Sequence, residues 1–440
     1  MERGGIKEES TSNVDTTIEI EVPYGPLVTS MRERLQSLTP NSSEYCIYRV
    51  PNNIRGTNEA AFAPIRVSIG PFHYGKGVLK AMEENKWRYL QNFLERTQKK
   101  LEEFVEVIKE KEESIRLCYA EKIKLDSGKF VEMILVDAAF IIEFLLNFVV
   151  PNRRDENDIL FQNNIIFSDI SRDLWLLENQ IPFFILGDIF SMTVLQGASS
   201  SSQYEILSFL DLTSQYYIGM HLGLNAKKTI PSGAMHFTDF LRSCIIPSEE
   251  PQPRNRVGRI EFTRSATLLQ KAGVKFKKPG VMKNLLDIKF SDGVLEIPHL
   301  MLTDETASLL RNVVAFEQCH ALPLYMSDYI TLLDGLIDTT KDVDLFIRGK
   351  IIENWLGDSK GVADLFNKLG RNIIVSDTES YFARVYEDLN DYFHSPWHHW
   401  KAILKQEYFK NPWAGISVIA AVILLILTFI QTGCSNNSIL

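Results

Sequence analysis

The chain has little of what several protein classes require. Cysteine is scarce: the five residues (Cys46, Cys118, Cys244, Cys319 and Cys434) among 440 form no CxxC or paired spacing. That excludes a small disulfide scaffold, and an odd, scattered set fits a reducing compartment. An excess of positive charge is missing too. With 47 basic against 56 acidic side chains the net charge is -9, so no nucleic-acid partner is expected through phosphate contacts. Glycine and proline, at 24 and 17 residues, are too few for a collagenous or wholly disordered chain. No GxSxG, HExxH or GxGxxG occurs, so the sequence offers no recognised hydrolase, zincin or dinucleotide signature. Residues 1–41 contain no apolar core of a secretory signal.

What the chain does contain is enough apolar material for a large core, at 45% hydrophobic and 23% charged residues, and a length that accommodates two or three domains. Residues 411–440 carry no charge, and residues 413–432 (WAGISVIAAVILLILTFIQT) are dominated by large aliphatic side chains. Twenty helical residues rise about 30 Å, the thickness of a bilayer's hydrocarbon. The expectation is therefore one C-terminal transmembrane helix, anchored by Trp413, Ala414, Gly415, Ile416, Val418, Leu424, Leu425, Leu427, Phe429 and Ile430. Trp397, Trp400, Tyr408 and Phe409 precede it as interfacial aromatics, and Lys401, Lys405 and Lys410 form the adjacent basic cluster. The positive-inside bias predicts a tail-anchored protein with a membrane as partner, the large N-terminal part cytosolic and residues 433–440 beyond the bilayer. The reverse topology would turn the large domain into an extracellular recognition surface. A second apolar stretch, residues 130–150, holds Glu132, Asp137 and Glu143. Charges inside a membrane cost about 3 kcal/mol each, so it reads as a core helix whose acids pair with Arg or Lys of neighbouring helices.

Along the chain, residues 1–43 read as a flexible polar N-terminus with a helix-like patch at 27–38. Residues 44–395 read as one helical domain, with loops near 196–204 and 247–257. Residues 396–412 form a juxtamembrane aromatic and basic segment. Residues 65–69 alternate as a short strand, ended by Gly70-Pro71. Residues 78–124 carry apolar positions at helical steps, and the stretch through Trp175 to Phe190 also reads as helix. Near 284–298 the period changes, and Ser291-Asp292-Gly293 marks a β-hairpin preceded by a strand at KFKK. Helices are expected again from Asp304, taken as a cap, through 305–320, 327–336, 341–355, 362–369 and 378–393. The predicted fold class is mainly α-helical with a small antiparallel β-sheet (α+β), plus the C-terminal span.

Several motifs in order carry a family likeness: YCIYRVPNNIR (45–55), VSIGPFHYGK (67–76), DAAFIIEFLL (137–146), LLENQIPFFIL (176–186), AGVKFKK (272–278), LLDIKFSDGVLEIP (285–298), AFEQC (315–319) and NPWAGISVIAAVILLILTFIQT (411–432). Together they resemble the plant family known as domain of unknown function 247. The resemblance implies a plant membrane protein without a defined catalytic mechanism, of a kind connected with pollen–pistil self-recognition and defence. It carries no catalytic residues over.

The sharpest chemical motif is Gly70-Pro-Phe-His-Tyr-Gly-Lys-Gly77, which satisfies GxxxxGK before a helix. Gly77 occupies the position where a hydroxyl would hold magnesium, and Pro71 lacks an amide hydrogen. Lys76 is the residue that would contact a phosphate. His394, His398 and His399 offer i, i+4 spacing without an evident third ligand, and Cys319-His320 are neighbours that point about 100° apart on a helix. Asn41 and Asn436 head glycosylation sequons. No catalytic residue, cofactor or metal is assigned. The function read from the chain is a protein-interaction, signalling or recognition module with unknown protein partners. The alternative is a membrane-bound enzyme of unrecognised type, or a degenerate nucleotide binder using the Gly70–Lys76 loop.

Overall fold

A computed structural model describes residues 24–36, 44–193, 206, 208–220, 233–246, 260–261, 263–281, 284–320, 323–376, 378–395 and 412–437. The chain divides into two units, Met1–Glu44 and Tyr45–Leu440. In the first, the described residues form the helix Gly25–Gln36. The loops expected near 196–204 and 247–257, the juxtamembrane segment up to residue 411, and Asn41 lie outside the described residues.

The second unit is built around the helix Ser127–Val149, which starts where the Asp126 carboxylate accepts from the Lys129 amide at 3.0 Å. It is apolar on every face rather than striped, and its side chains are buried almost throughout, as a helix enclosed by neighbours must be. Helices Lys80–Thr97, Leu101–Glu110, Phe183–Met192 and Phe209–Gly219 pack against it. Its two inward acids meet cations from outside the helix, Asp137 with Lys86 at 2.6 Å and Glu143 with Arg96 at 2.6 Å. The long helical stretch expected over 78–124 is broken after Thr97, where Gln98 turns left-handed (φ 56°), and again at Lys111.

Two small sheets follow. Strands β1 (Lys275–Lys277), β2 (Lys289–Ser291) and β3 (Val294–Glu296) form a three-stranded sheet in the order β1-β3-β2. The β2–β3 hairpin turns through Asp292 and Gly293, both with positive φ, the backbone a tight two-residue turn requires. The sheet is mixed rather than antiparallel, because β1 pairs with β3 in parallel. Strands β4 (Leu300–Leu302) and β5 (Ile352–Asn354) form a separate parallel pair. The helix expected over 341–355 therefore ends at Arg348, and the chain turns through Lys350 (φ 57°) into β5. Helices Asp304–Cys319, Tyr325–Leu336, Ser359–Leu369 and Ala383–His394 also belong to the unit. Thr303 rather than Asp304 caps the first of these, its hydroxyl accepting from the Thr306 amide.

The predicted transmembrane span requires correction. Trp413, Ala414, Gly415, Ile416, Val418, Leu424, Leu425, Leu427, Phe429 and Ile430 lie in the helix Pro412–Asn437, yet among the described residues no helix is long and apolar enough to cross a membrane. Past Ile430 the helix becomes polar from Gln431 onward. The observed fold class is mainly helical with two small sheets.

Candidate functional site

Two expectations fail at one place. Residues 65–69 do not form a strand, and residues 175–182 do not form a helix. Pro182 lacks the amide hydrogen a helix interior needs, and the polar side chains before it bond to distant backbone instead. Asn179 accepts from the Ile69 amide at 2.8 Å and donates to the carbonyls of Val67 and Asp173. Gln180 donates to the carbonyls of Leu174 and Leu176 and accepts from the Phe237 amide. Asp173 accepts from the amides of Ile65, Arg66 and Val67. The amides that alternation assigned to a sheet ladder are thus satisfied by side chains, which buried backbone demands in one form or another.

Glu178 brings a second carboxylate to the hub. Its carboxylate accepts from the Val50 amide at 2.6 Å and from Arg55. It also lies 3.3 Å from His73 Nε2 and 3.9 Å from Arg49. Burial pushes its pKa up, but His73, Arg55 and the Val50 amide outweigh burial and hold it below the usual carboxylate range. Burial holds His73 below the ordinary histidine value, with Glu178 opposing.

The Gly70–Gly77 loop rests on this hub. Gly70 adopts φ +70°, and a Cβ there would lie 2.3 Å from the Gln180 carbonyl oxygen. Its N–H donates to Asp137 Oδ2 at 2.7 Å. Lys86 donates to the other Asp137 oxygen and to the Ser68 carbonyl at 2.9 Å. The exposed Lys76 turns back, its ammonium 2.8 Å from His73 Nδ1. That donation leaves His73 carrying its own proton on Nε2, toward Glu178. In a phosphate-cradling loop, backbone amides and lysine converge on the anion. Here a carboxylate occupies the Gly70 amide, and Lys76 is committed to a histidine that faces a second carboxylate.

The remaining sequence candidates are placed as follows. The Cys319 thiol is pushed up to about 11 by burial, with Glu178 adding to the effect, the opposite of an activated thiol. His320 sits with Nδ1 2.9 Å from the Tyr48 hydroxyl, which donates to the Tyr45 carbonyl. Glu317, in the AFEQC motif, is a second hub, taking Arg242 at 2.9 Å together with the amides of Met326 and Ser327. His394 packs edge-on against Phe393, and His398 and His399 lie outside the described residues.

Sequence reading missed one surface feature. Trp355 follows β5 with its amide bonded to the Leu302 carbonyl, and it remains 67% exposed. Its indole donates to Glu353 Oε1 at 2.9 Å, and the other oxygen of that carboxylate lies 3.3 Å from His299 Nε2. The only sequence signal is a tryptophan two residues after a glutamate, which says nothing before the strand is known.

Comparison with known proteins gives one family and two curated relatives. The family model described as "Plant protein of unknown function" (DUF247) matches residues 47–427. The UPF0481 protein At3g47200 of Arabidopsis thaliana is 28% identical over 416 residues, spanning 88% of this chain and 85% of its own. The putative UPF0481 protein At3g02645 of the same plant is 24% identical over 477 aligned positions, spanning 88% and 89%. No solved structure matches.

Proposed function

The chain belongs to the plant DUF247 family, and on that premise we propose that its larger unit is a protein-interaction module serving recognition or signalling. The observation that carries this reading is Trp355: a large aromatic, exposed just after strand β5, with its indole bonded to Glu353. Tryptophan is enriched among the few residues that dominate binding energy at protein interfaces. A side chain already held in one orientation loses less freedom on binding. The polar residues of the VSIGPFHYGK, DAAFIIEF and LLENQIP motifs support the same reading, because they bond to one another and to buried backbone within the protein.

The test begins with crosslinking of the full chain in plant tissue, followed by titration of the purified chain against each purified candidate partner. The expected result is saturable binding to one protein, weakened at least tenfold by Trp355→Ala and unchanged by Lys76→Ala. Loss of the biological effect in a folded Lys76→Ala protein, with Trp355→Ala tolerated, would overturn the reading in favour of chemistry at the Gly70–Lys76 loop.

A further inference from the structure

Cys46 and Cys118 are separated by many residues in sequence, yet the fold sets them side by side. Ile47 and Tyr119 form an isolated parallel bridge. The Ile47 amide donates to the Cys118 carbonyl at 2.9 Å, and the Ala120 amide donates to the Ile47 carbonyl at 3.0 Å. The next pair back in that register is Cys46 with Cys118, whose backbones are also joined by a Cys46 amide to Cys118 carbonyl bond of 2.9 Å. Bridged strands run about 4.8 Å apart, inside the Cα separation of about 4.4–6.8 Å that a disulfide accepts. Both side chains are buried, and residues paired in register project to the same face. Cys118 Sγ donates to the Ser114 carbonyl at 3.4 Å.

We propose that Cys46 and Cys118 are an oxidisable pair that closes to a disulfide when the chain meets a peroxide. The reaction runs in two displacements. One sulfur, as thiolate, attacks the peroxide O–O bond, forming a sulfenic acid and releasing hydroxide that takes up a proton. The second sulfur then displaces the sulfenic hydroxyl, which leaves as water with the remaining thiol proton. With hydrogen peroxide, two S–H bonds and one O–O bond are lost, and one S–S bond and two waters result. The sulfur pair gives up two electrons and the peroxide takes them.

The same geometry makes the reaction favourable at equilibrium and slow. The sulfurs are already neighbours, so closing the link asks little of the native backbone, while the link constrains the unfolded chain. The Cys118 side chain, then burial, holds the Cys46 thiol far above the ordinary thiol range. Little thiolate is therefore present at neutral pH, and the pair responds to sustained oxidising conditions rather than to a brief pulse. Closure would tie the segment that carries Arg49 and Val50, both at Glu178, to Tyr119, whose hydroxyl bonds to the Gln180 carbonyl at 3.0 Å. The polar hub would then be held covalently from one side.

The experiment is non-reducing peptide mapping of the purified full chain before and after incubation with hydrogen peroxide over hours, with thiol titration and thermal melting alongside. The expected result is one crosslinked peptide joining Cys46 and Cys118, two fewer hydrogens in mass, loss of two of the five thiols, and faster closure as pH is raised. The melting temperature should rise by about 5–10 °C and fall back on adding dithiothreitol. Cys118→Ser should abolish the crosslink and leave Cys46 titrating as a free thiol. Peroxide-treated wild-type protein that retains both thiols, carries sulfinic acid without a crosslink, or links either cysteine to Cys244, Cys319 or Cys434 would overturn the proposal, and none of those outcomes depends on the variant folding.

Discussion

Lys86 and Asp137 face each other at 2.6 Å in the interior of the larger unit, each about 1% exposed. Burial alone would lower the lysine's pKa, but Asp137 and Glu83 outweigh it and hold Lys86 above its ordinary value. Burial raises Asp137 to about 6 against the pull of Lys86 and the Gly70 amide. At neutral pH both are charged, and the pair fixes the helix Lys80–Thr97 to the central helix while orienting the Gly70 turn. A buried ion pair adds little over a well-packed apolar pair, yet breaking one is costly because it strands the other charge.

Lys86→Met should therefore destabilise the chain by about 3–5 kcal/mol, with Asp137 left without its cation. The double variant Lys86→Met, Asp137→Asn should recover part of that loss, since only the partly exposed Glu83 then lacks its lysine and no fully buried charge is stranded. Urea denaturation of the two single variants and the double variant measures the coupling. Additive losses would mean the two side chains act independently.

Gly70→Ala tests the turn on that pair. The position needs φ +70° and its Cβ would meet the Gln180 carbonyl oxygen at 2.3 Å, so alanine carries both a backbone penalty and a clash with main chain. A loss of at least about 2 kcal/mol is expected, together with faster hydrogen exchange at Ile69, whose amide depends on Asn179. Gly75, with φ +77° but open space around its Cβ, should lose only about 1 kcal/mol as alanine.

What the sequence reveals and what it hides divide along locality. Asp137 and Glu143 stand out because a carboxylate in an apolar run must find a partner, and both partners exist. Ser291-Asp292-Gly293 is legible because a tight hairpin turn is decided by two adjacent residues. The polar hub is not legible: Asn179 and Asp173 bond to backbone more than a hundred residues away, and no local period encodes that. Alternation at 65–69 suggests a strand for the same reason, since it reports which side chains point inward but not what takes the amides. The pairing of β4 with β5 and the meeting of Cys46 with Cys118 are likewise long-range. At the C-terminus, residue composition from 413 to 432 suggested a span that the described helix does not supply.

Glu353→Ala addresses the exposed face. The substitution leaves Trp355 in place but removes the acceptor of its indole N–H and the partner of His299. Glu353 is itself exposed, so stability should change by no more than about 0.5 kcal/mol. Affinity for the protein partner should fall several-fold, less than for Trp355→Ala, because the freed indole must be ordered on binding. Equal losses for the two variants would assign the contact to Glu353 itself.

His236 sets an acid-sensitive contribution to stability. It caps the helix Phe237–Ile245, Nδ1 accepting from the Asp239 amide, and its Nε2 lies 2.9 Å from the Cys46 carbonyl. Those two bonds require the neutral ring with its proton on Nε2. Burial lowers its pKa from 6.5 to about 4. As pH falls, the unfolded chain therefore takes up the proton first, and the native state loses ground. The contribution is complete above pH 6.5 and fades as pH drops from 6.5 to 4. His236→Asn can still cap the helix but cannot titrate, and at pH 7 it should be less stable by about 1–2 kcal/mol. The gap between wild type and variant, measured by denaturation at a series of pH values, should narrow across that window. Comparison with the variant removes the opposite trend of Asp173 and Asp328, whose carboxyls burial raises to about 6 and which stabilise the fold as pH falls. A gap that stays constant from pH 7 to pH 4 would show that the ring titrates alike in the folded and unfolded chain.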